Sequence, residues 1–187
     1  MHGVYSFAAR ALSLACMTEI VTERLHLRLF RPEDFEAHAR INADPEVMRF
    51  LPPGPMTRVE AWRQMAQYVG HWQLRGYGMW AAVERSTGEL LGRIGLLNPE
   101  GGLGFEVGWA LARRAWGKGF AFEGAQAAVR HAFTAVGRDH VIAVIHPENA
   151  RSIRVAERLG GTREREAEVA GVPIVIYGIR RPEKSSA

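Results

Sequence analysis

Residues 105–136 read FEVGWALARRAWGKGFAFEGAQAAVRHAFTAV, and this stretch decides the fold. A short alternating segment, typical of a β-strand, runs into the turn RAWGKG at 114–119. A long amphipathic helix follows, because apolar residues then recur every three or four positions. Glycines at a helix N-terminus present unpaired backbone N–H groups and the positive end of the helix dipole, which together hold phosphate oxygens. The stretch therefore predicts a pyrophosphate site.

The spacing of the glycines excludes two common phosphate motifs. A Walker loop needs a glycine five residues before its Gly-Lys pair and Ser or Thr after that pair, but Ala112 and Gly119 stand there. A dinucleotide fingerprint needs a third glycine after Gly-x-Gly, but Phe122 stands three residues after Gly119. A nucleoside triphosphatase and a Rossmann fold are therefore disfavoured.

Outside this stretch, helices and strands alternate with short loops. Before it we expect a strand at 21–30, helices at 31–43 and 57–74 around a proline-rich loop at 51–55, and antiparallel strands at 77–84, 89–97 and 103–111. After it we expect a strand at 140–146, a short helix at 149–159 and a hairpin at 162–169 and 172–179.

The run HVIAVIH at 140–146 sets the topology of the sheet. It is nearly continuous in β-branched residues, as expected for a strand that is covered on both faces and parallel to the strand before the long helix. The long helix is then a crossover. The element order predicts the α+β class: a mixed, mostly antiparallel sheet flanked by helices, with one parallel β-α-β crossover.

Length and composition limit the classes of function. The 187 residues suit one domain, and we expect 1–17 to be a loosely ordered N-terminal extension and 18–187 a single domain. No apolar run approaches the roughly 20 residues that span a membrane. The net charge of +4 favours an anionic ligand, and without a basic stripe it does not predict nucleic-acid binding. The single cysteine, Cys16, allows no internal disulfide and no zinc pair, so we expect a reducing, cytoplasmic location.

Three segments of the chain resemble the GNAT superfamily of N-acetyltransferases, and its RimJ/RimL-like branch most closely. They are TERLHLR at 22–28, WGKGFA at 116–121 and NARSIRV at 149–155, the last followed by Leu159 and Gly160. The resemblance covers 22 to about 179. It implies a twisted GNAT-like sheet, acetyl-CoA as co-substrate and no metal. It also implies transfer of an acetyl group to a primary amine, on a protein N-terminus or a small molecule, by direct attack in a ternary complex.

The resemblance also assigns residues to the acetyl-CoA site. The turn and the start of its helix bind the pyrophosphate, and Asn149 contacts the cofactor. The residues expected to bind it are Arg113, Arg114, Trp116, Gly117, Lys118, Gly119, Phe120 and Asn149.

Acetylation of an amine needs a base, because an alkyl amine with a pKa near 10 is mostly protonated at neutral pH and only its neutral form attacks a thioester. We expect Glu106 to be this base, since its same-face neighbours Gly104 and Gly108 leave room for a substrate. Acetyltransferases of this type often carry a carboxylate on this strand. His146, at the carboxyl end of the next strand, is the competing candidate because imidazole titrates near about 6.5.

The leaving thiolate needs a hydrogen-bond donor, and Ser152 is our candidate for it. Many members of the superfamily carry a tyrosine acid three residues before the Leu-Gly pair, but Ala156 stands there, and Tyr177 is a possible replacement. An acyl-cysteine intermediate is disfavoured because Cys16 lies outside the patterned domain.

The acceptor amine is the part that the sequence specifies least. Five aromatic residues lie where acceptor pockets of the superfamily usually form, although aromatics at helical spacing are more often part of the core: Trp62, His71, Trp72, Tyr77 and Trp80. A non-catalytic acyl-CoA sensor and a nucleic-acid-binding module are the alternative functions. The sequence does not determine the oligomeric state, and a homodimer is one of the alternatives.

Overall fold

The computed structural model describes residues 19–182, so the expected extension at 1–17 lies outside the described residues. The strands are β1 Ile20–Val21, β2 Leu25–Arg28, β3 Met79–Glu84, β4 Leu90–Leu97, β5 Glu106–Leu111, β6 His140–Ile145, β7 Thr162–Val169 and β8 Val172–Arg180. The helices are α1 Phe35–Ala43, α2 Pro45–Met48, α3 Arg58–Arg75, α4 Phe120–Thr134 and α5 Ala150–Arg158. Short 3-10 turns at Pro32–Asp34 and Arg113–Ala115 precede α1 and α4.

The strands form one sheet in the order β1-β2-β3-β4-β5-β6-β8-β7. Strands β5 and β6 are parallel and joined by the crossover helix α4, and every other neighbouring pair recorded in the sheet is antiparallel. The predicted α+β class with one parallel crossover is therefore confirmed.

The two parallel strands pair only where they begin. The ladder aligns Glu106 with Ile142, and the Ile142 N–H donates to the Phe105 carbonyl at 2.8 Å. No further β5–β6 pair is recorded in the described part of the chain. The strands therefore diverge toward their carboxyl ends and open a gap in the middle of the sheet.

Helix α4 lies unusually close to one face of the sheet. Its residues Ala125, Ala128 and Ala132 are fully buried in the same cluster as Ile94 of β4. A Cβ atom at Gly124 would overlap the Ile94 Cδ1 atom, so a larger residue there would force the Ile94 side chain to shift. Small residues thus allow α4 to pack closely on the sheet at β4.

Helices α1 and α3 cover the opposite face of the sheet. Ile41 of α1 and Met65 and Tyr68 of α3 belong to one buried cluster with Met79 and Ala81 of β3. Helix α3 begins with a capping box, since the Thr57 N–H donates to the Glu60 carboxylate at 2.8 Å and the Glu60 N–H donates to the Thr57 hydroxyl at 3.3 Å. Within residues 19–182, no helix combines the length and the hydropathy that a membrane crossing requires.

Two predicted strands differ clearly in their bounds, and the short helix α2 was not predicted. The strand expected at 21–30 is split into β1 and β2, because Thr22 and Arg24 turn toward α4 instead of continuing the ladder. The strand expected from 103 begins at Glu106, because Gly104 has a φ of +152°. Helix α1 ends at Ala43 as expected, and the next residue, Asp44, caps α2 by accepting from the Glu46 N–H at 3.0 Å.

Candidate active site

The glycine turn before α4 has the backbone that a phosphate cradle requires. Gly117 and Gly119 have φ values of +73° and +85°, which side-chain-bearing residues rarely adopt. A Cβ at Gly117 would have no heavy-atom neighbour within 4 Å, so the space beside this turn is open. The first N–H groups of α4, which have no intrahelical partner, begin directly after Gly119. This arrangement fits an anionic ligand such as a pyrophosphate.

The turn is held from outside by the segment between β1 and β2. The Glu123 carboxylate on α4 accepts hydrogen bonds from the Thr22 hydroxyl at 2.6 Å, the Arg24 N–H at 2.8 Å and the Arg24 Nε at 2.7 Å. The Arg24 Nη1 also donates to the Lys118 carbonyl at 2.8 Å, and its guanidinium stacks 4.7 Å from the centre of the Phe120 ring. Residues about a hundred positions apart therefore fix the shape of the turn together.

A cleft of about 830 Å³ extends from this turn along the carboxyl end of β5. One wall is the carboxyl end of β5 with the turn, and the other wall is α5. Phe50 and Leu51, from the loop after α2, close one side. The cleft brings together five of the predicted site residues: Trp116, Gly117, Gly119, Asn149 and Ser152.

Three arginines of α5 line the cleft and were not predicted. Arg151, Arg154 and Arg158 follow each other at helical spacing on the face toward the turn. The guanidinium of Arg151 lies 4.5 Å from the centre of the Trp116 ring, and that of Arg158 lies 4.0 Å from the centre of the Phe122 ring. This spacing was visible in the sequence and could have identified a cationic face opposite the turn.

The cations predicted from the turn itself have other partners. Arg113 pairs with Asp44 at 2.8 Å, and Arg114 donates to the Leu90 carbonyl at 2.9 Å and pairs with Glu89. Neither side chain lines the cleft.

Lys118 and Phe120 also lie outside the lining of the cleft. The Phe120 ring is buried, and the Lys118 carbonyl is held by Arg24. Phe120 can face the ligand only through its backbone N–H at the start of α4. Trp116, which does line the cleft, is anchored by a hydrogen bond from its indole to the Leu111 carbonyl at 2.7 Å. The ligand contacts of all these residues stay predictions.

Asn149 and Ser152 lie together at the N-terminus of α5. The Asn149 Oδ1 caps the helix by accepting from the Ser152 N–H at 3.2 Å. The Ser152 hydroxyl oxygen accepts a hydrogen bond from the Trp109 indole at 3.3 Å. Because the oxygen is the acceptor in this bond, the hydroxyl hydrogen of Ser152 stays free to donate into the cleft.

Glu106 lies where β5 and β6 begin to diverge, on the face that α3 covers. Its side chain is half-buried, and no hydrogen bond to its carboxylate is recorded among residues 19–182. Burial raises the pKa of Glu106 to about 7. Glu106 and Trp109 are three positions apart on one strand, so Glu106 and the Trp109–Ser152 pair lie on opposite faces of the sheet. They approach the gap from its two sides.

His146, the competing base, lies beyond the end of β6. Its Nδ1 accepts from the Glu148 N–H at 3.2 Å, and its ring packs 5.0 Å from that of Phe50. Phe50 lines the cleft, whereas His146 does not. Both contacts are ordinary structural roles, and the choice between Glu106 and His146 stays a prediction.

Most of the aromatic candidates for the acceptor pocket belong to the core. The Trp72 indole donates to the Met79 carbonyl at 3.0 Å, and Trp80 is fully buried. The His71 Nδ1 lies 2.7 Å from the Tyr77 carbonyl oxygen. Trp62 alone of the five is exposed, at 52%. Tyr177, the candidate replacement acid, is buried in the cluster on the α4 side of the sheet.

Known proteins include several that are similar to this chain in sequence or in fold. A family model described as an acetyltransferase (GNAT) domain matches residues 24–162. The uncharacterized N-acetyltransferase p20 of Bacillus licheniformis is 32% identical over 151 residues, which cover 79% of this chain and 84% of that protein. The protein YkkB of Bacillus subtilis strain 168 is 33% identical over 168 residues, or 86% of this chain and 94% of that one. The crystal structure of an acetyltransferase from Agrobacterium tumefaciens strain C58 superposes with a TM-score of 0.80 at 29% identity, over 87% and 94% of the two chains.

Proposed function

Because the chain belongs to the GNAT acetyltransferase family, we propose that it transfers an acetyl group from acetyl-CoA to a primary amine by direct attack in a ternary complex. The acceptor is a protein N-terminus or a small-molecule amine, as in the RimJ/RimL-like branch that the sequence resembles. The observation that carries the proposal is the cleft, in which a glycine turn and the carboxyl end of β5 face the arginines of α5.

The cleft offers each part of acetyl-CoA a suitable partner. The N–H groups that follow Gly119 and the guanidinium groups of Arg151, Arg154 and Arg158 suit the phosphates. The gap between β5 and β6 opens toward their carboxyl ends and closes at Glu106, so an extended pantetheine arm that enters it is directed toward Glu106. We therefore place the thioester where the strands begin to diverge.

Glu106 then acts as the general base. With a pKa of about 7, a large fraction of its carboxylate is ionised at neutral pH and can accept a proton from the attacking amine. The amine nitrogen forms a bond to the acetyl carbon, and the bond from that carbon to sulfur breaks. Backbone N–H groups on the edge of β5 that faces the gap stabilise the oxyanion that forms between these two events.

Ser152 serves the leaving group from the other side of the gap. Its hydroxyl oxygen accepts from Trp109, so its hydrogen can donate to the departing thiolate. A thiol with a pKa of about 8.5 needs only this modest help to leave. The base and the thiol donor thus lie on opposite faces of the sheet, as required when the amine and the thioester approach each other through the gap.

Acetyl-CoA is expected to raise the melting temperature of the protein. Ligand at a hundred times its Kd adds about 2.7 kcal/mol to the free energy of unfolding, which for a chain of this size corresponds to roughly 5–10 °C. Differential scanning fluorimetry measures this shift, with ATP as a control ligand that carries phosphates but no pantetheine arm. ATP should give the smaller shift. No shift at saturating acetyl-CoA would remove the basis of the proposal.

A further inference from the structure

A second cavity, of about 470 Å³, lies beside the glycine turn. Its walls are the segment between β1 and β2, the side of α4 that carries Glu123 and Arg130, and the end of α5. It shares three lining residues with the acetyl-CoA cleft: Gly119, Phe122 and Arg158. The two spaces therefore adjoin at the start of α4, where the turn ends.

Three arginines from three different elements line the second cavity. They are Arg24 before β2, Arg130 on α4 and Arg158 on α5. Arg24 pairs with the Glu123 carboxylate at 2.7 Å. Arg130 and Arg158 are exposed, and within the described part of the chain no ion pair to either of them is recorded. Glu23 is the other carboxylate in the lining, so two available cations face one carboxylate. The excess of positive charge suits an anionic ligand.

Arg130 is the cation that belongs to the second cavity alone. Arg158 lines both spaces, and its guanidinium lies 4.0 Å from the centre of the Phe122 ring. Arg130 does not line the acetyl-CoA cleft. It follows Gly119 on the same helix by about 16 Å along the axis, at a rise of 1.5 Å per residue. An anion that Arg130 binds is therefore a different group from the one that the turn holds.

Acetyl-CoA carries such a further anionic group. Its pyrophosphate joins the pantetheine arm to an adenosine, and the ribose of this adenosine has a third phosphate on its 3′ oxygen. If the arm enters the cleft and the pyrophosphate lies at the turn, the adenosine end lies beyond the turn, where the second cavity adjoins it at Gly119. A volume of about 470 Å³ is within the usual range of small-molecule sites.

We propose that the second cavity binds the adenosine end of acetyl-CoA, with Arg130 and Arg158 on its 3′-phosphate, so that the protein selects acetyl-CoA over the 3′-dephospho form. The inference rests on the proposed function. A phosphate monoester has three acceptor oxygens and accepts charge-assisted hydrogen bonds from both guanidinium groups. The Glu23 carboxylate repels the phosphate, and the two cations outweigh this repulsion.

The test compares two ligands that differ only in this phosphate, coenzyme A and 3′-dephospho-coenzyme A. Isothermal titration calorimetry gives the Kd of each, and we expect the wild type to bind coenzyme A roughly a hundredfold more tightly. In Arg130→Gln the Kd for coenzyme A should rise about tenfold, the effect of one charge-assisted hydrogen bond at an exposed site. The Kd for the dephospho form should stay at its wild-type value, which also shows that the variant is folded.

Arg154→Gln is the matched control, because Arg154 lines the acetyl-CoA cleft but not the second cavity. This variant should weaken the binding of both ligands by the same factor and leave the preference for coenzyme A unchanged. Since the side chain of Arg130 is exposed, Arg130→Gln should keep the melting temperature of the free protein.

The outcomes distinguish this inference from the function beneath it. If the wild type binds both ligands equally, the 3′-phosphate is not recognised; the inference is overturned and the proposed function stands. The same conclusion follows if Arg130→Gln keeps the full preference, or if it weakens the binding of both ligands equally. If the wild type binds neither ligand, the proposed function fails and the inference fails with it.

Discussion

Replacing Glu106 by glutamine is expected to lower turnover on the order of a hundredfold while acetyl-CoA binding is kept, because the amide cannot accept the proton of the attacking amine. The side chain keeps its shape, and Glu106 does not line the acetyl-CoA cleft. The measurement is kcat from thiol release together with the Kd for acetyl-CoA. An unchanged kcat would remove Glu106 from the mechanism and leave His146 as the next candidate.

The same substitution should stabilise the protein at alkaline pH. Burial raises the pKa of Glu106 from its ordinary value of 4.5 to about 7, so the charged form is penalised in the folded state. The penalty is absent below pH 4.5, grows as the pH rises, and is complete above pH 7. Glutamine avoids it, so Glu106→Gln should gain about 1–3 kcal/mol at pH 8 and nothing at pH 4.5.

The matched control for both effects is Glu168→Gln. Glu168 is an exposed strand glutamate on β7, so this variant should change neither kcat nor the melting temperature. Lower turnover combined with higher stability is a pattern that loss of a merely structural carboxylate would not give. A Glu106→Gln variant that melts below the wild type at pH 8 would contradict the burial argument.

Replacing Glu123 by alanine is expected to cost about 2 kcal/mol of folding free energy at pH 7, or roughly 4–8 °C in melting temperature. The variant loses hydrogen bonds from Thr22 and Arg24 and the ion pair with Arg24. Without the Glu123 carboxylate to orient it, Arg24 no longer donates to the Lys118 carbonyl, so the affinity for acetyl-CoA should fall as well.

The contribution of Glu123 to the free energy of unfolding changes with pH in the opposite direction to the contribution of Glu106. Although burial raises the pKa of Glu123, hydrogen bonds from Thr22 and Arg24 lower it further than burial raises it. The stabilisation is therefore present above the ordinary pKa of 4.5 and is lost as the pH falls through the lower folded value. The difference between wild type and Glu123→Ala should shrink in acid.

Glu36→Ala is the matched control for Glu123→Ala. Glu36 makes a two-pronged ion pair with Arg58, but both side chains are exposed, so its removal should hardly move the melting temperature. Equal melting temperatures for the Glu36 and Glu123 variants would show that the segment between β1 and β2 does not brace the turn.

The sequence predicted the crossover well because its signals are local. Each of three segments indicates its own backbone conformation: the glycine turn at 114–119, the apolar stripe of α4 and the β-branched run at 140–146. Together they predict the parallel pair β5–β6. The capping box of Thr57 and Glu60 is local in the same sense. Such features need no knowledge of distant partners.

The parts that could not be predicted depend on distant partners. An alternating pattern at 21–30 cannot show that Thr22 and Arg24 leave the strand to bind Glu123, about a hundred residues away. The positive charges of Arg113 and Arg114 suit a phosphate site, but the sequence does not show that Asp44 and Glu89 lie beside them.

Burial is the other quantity that the sequence leaves undetermined. The sequence favoured a core position for Trp72 and Trp80 without excluding an acceptor pocket, and packing between α3, α4 and the sheet places both in the core. The raised pKa of Glu106 likewise depends on its burial, which becomes apparent only when α3 is packed on the sheet.

The most direct test of the account is acetylation itself. The wild-type protein is incubated with acetyl-CoA and a panel of acceptors, namely peptides with free N-termini, polyamines, amino acids and aminoglycosides, and free thiol and acetylated amine are quantified in the same reaction. We predict that one primary amine releases thiol in equal amount to the acetylated product, and that Glu106→Gln slows both together. Binding of acetyl-CoA without amine-dependent thiol release for any acceptor would contradict the account and indicate a non-catalytic acyl-CoA sensor.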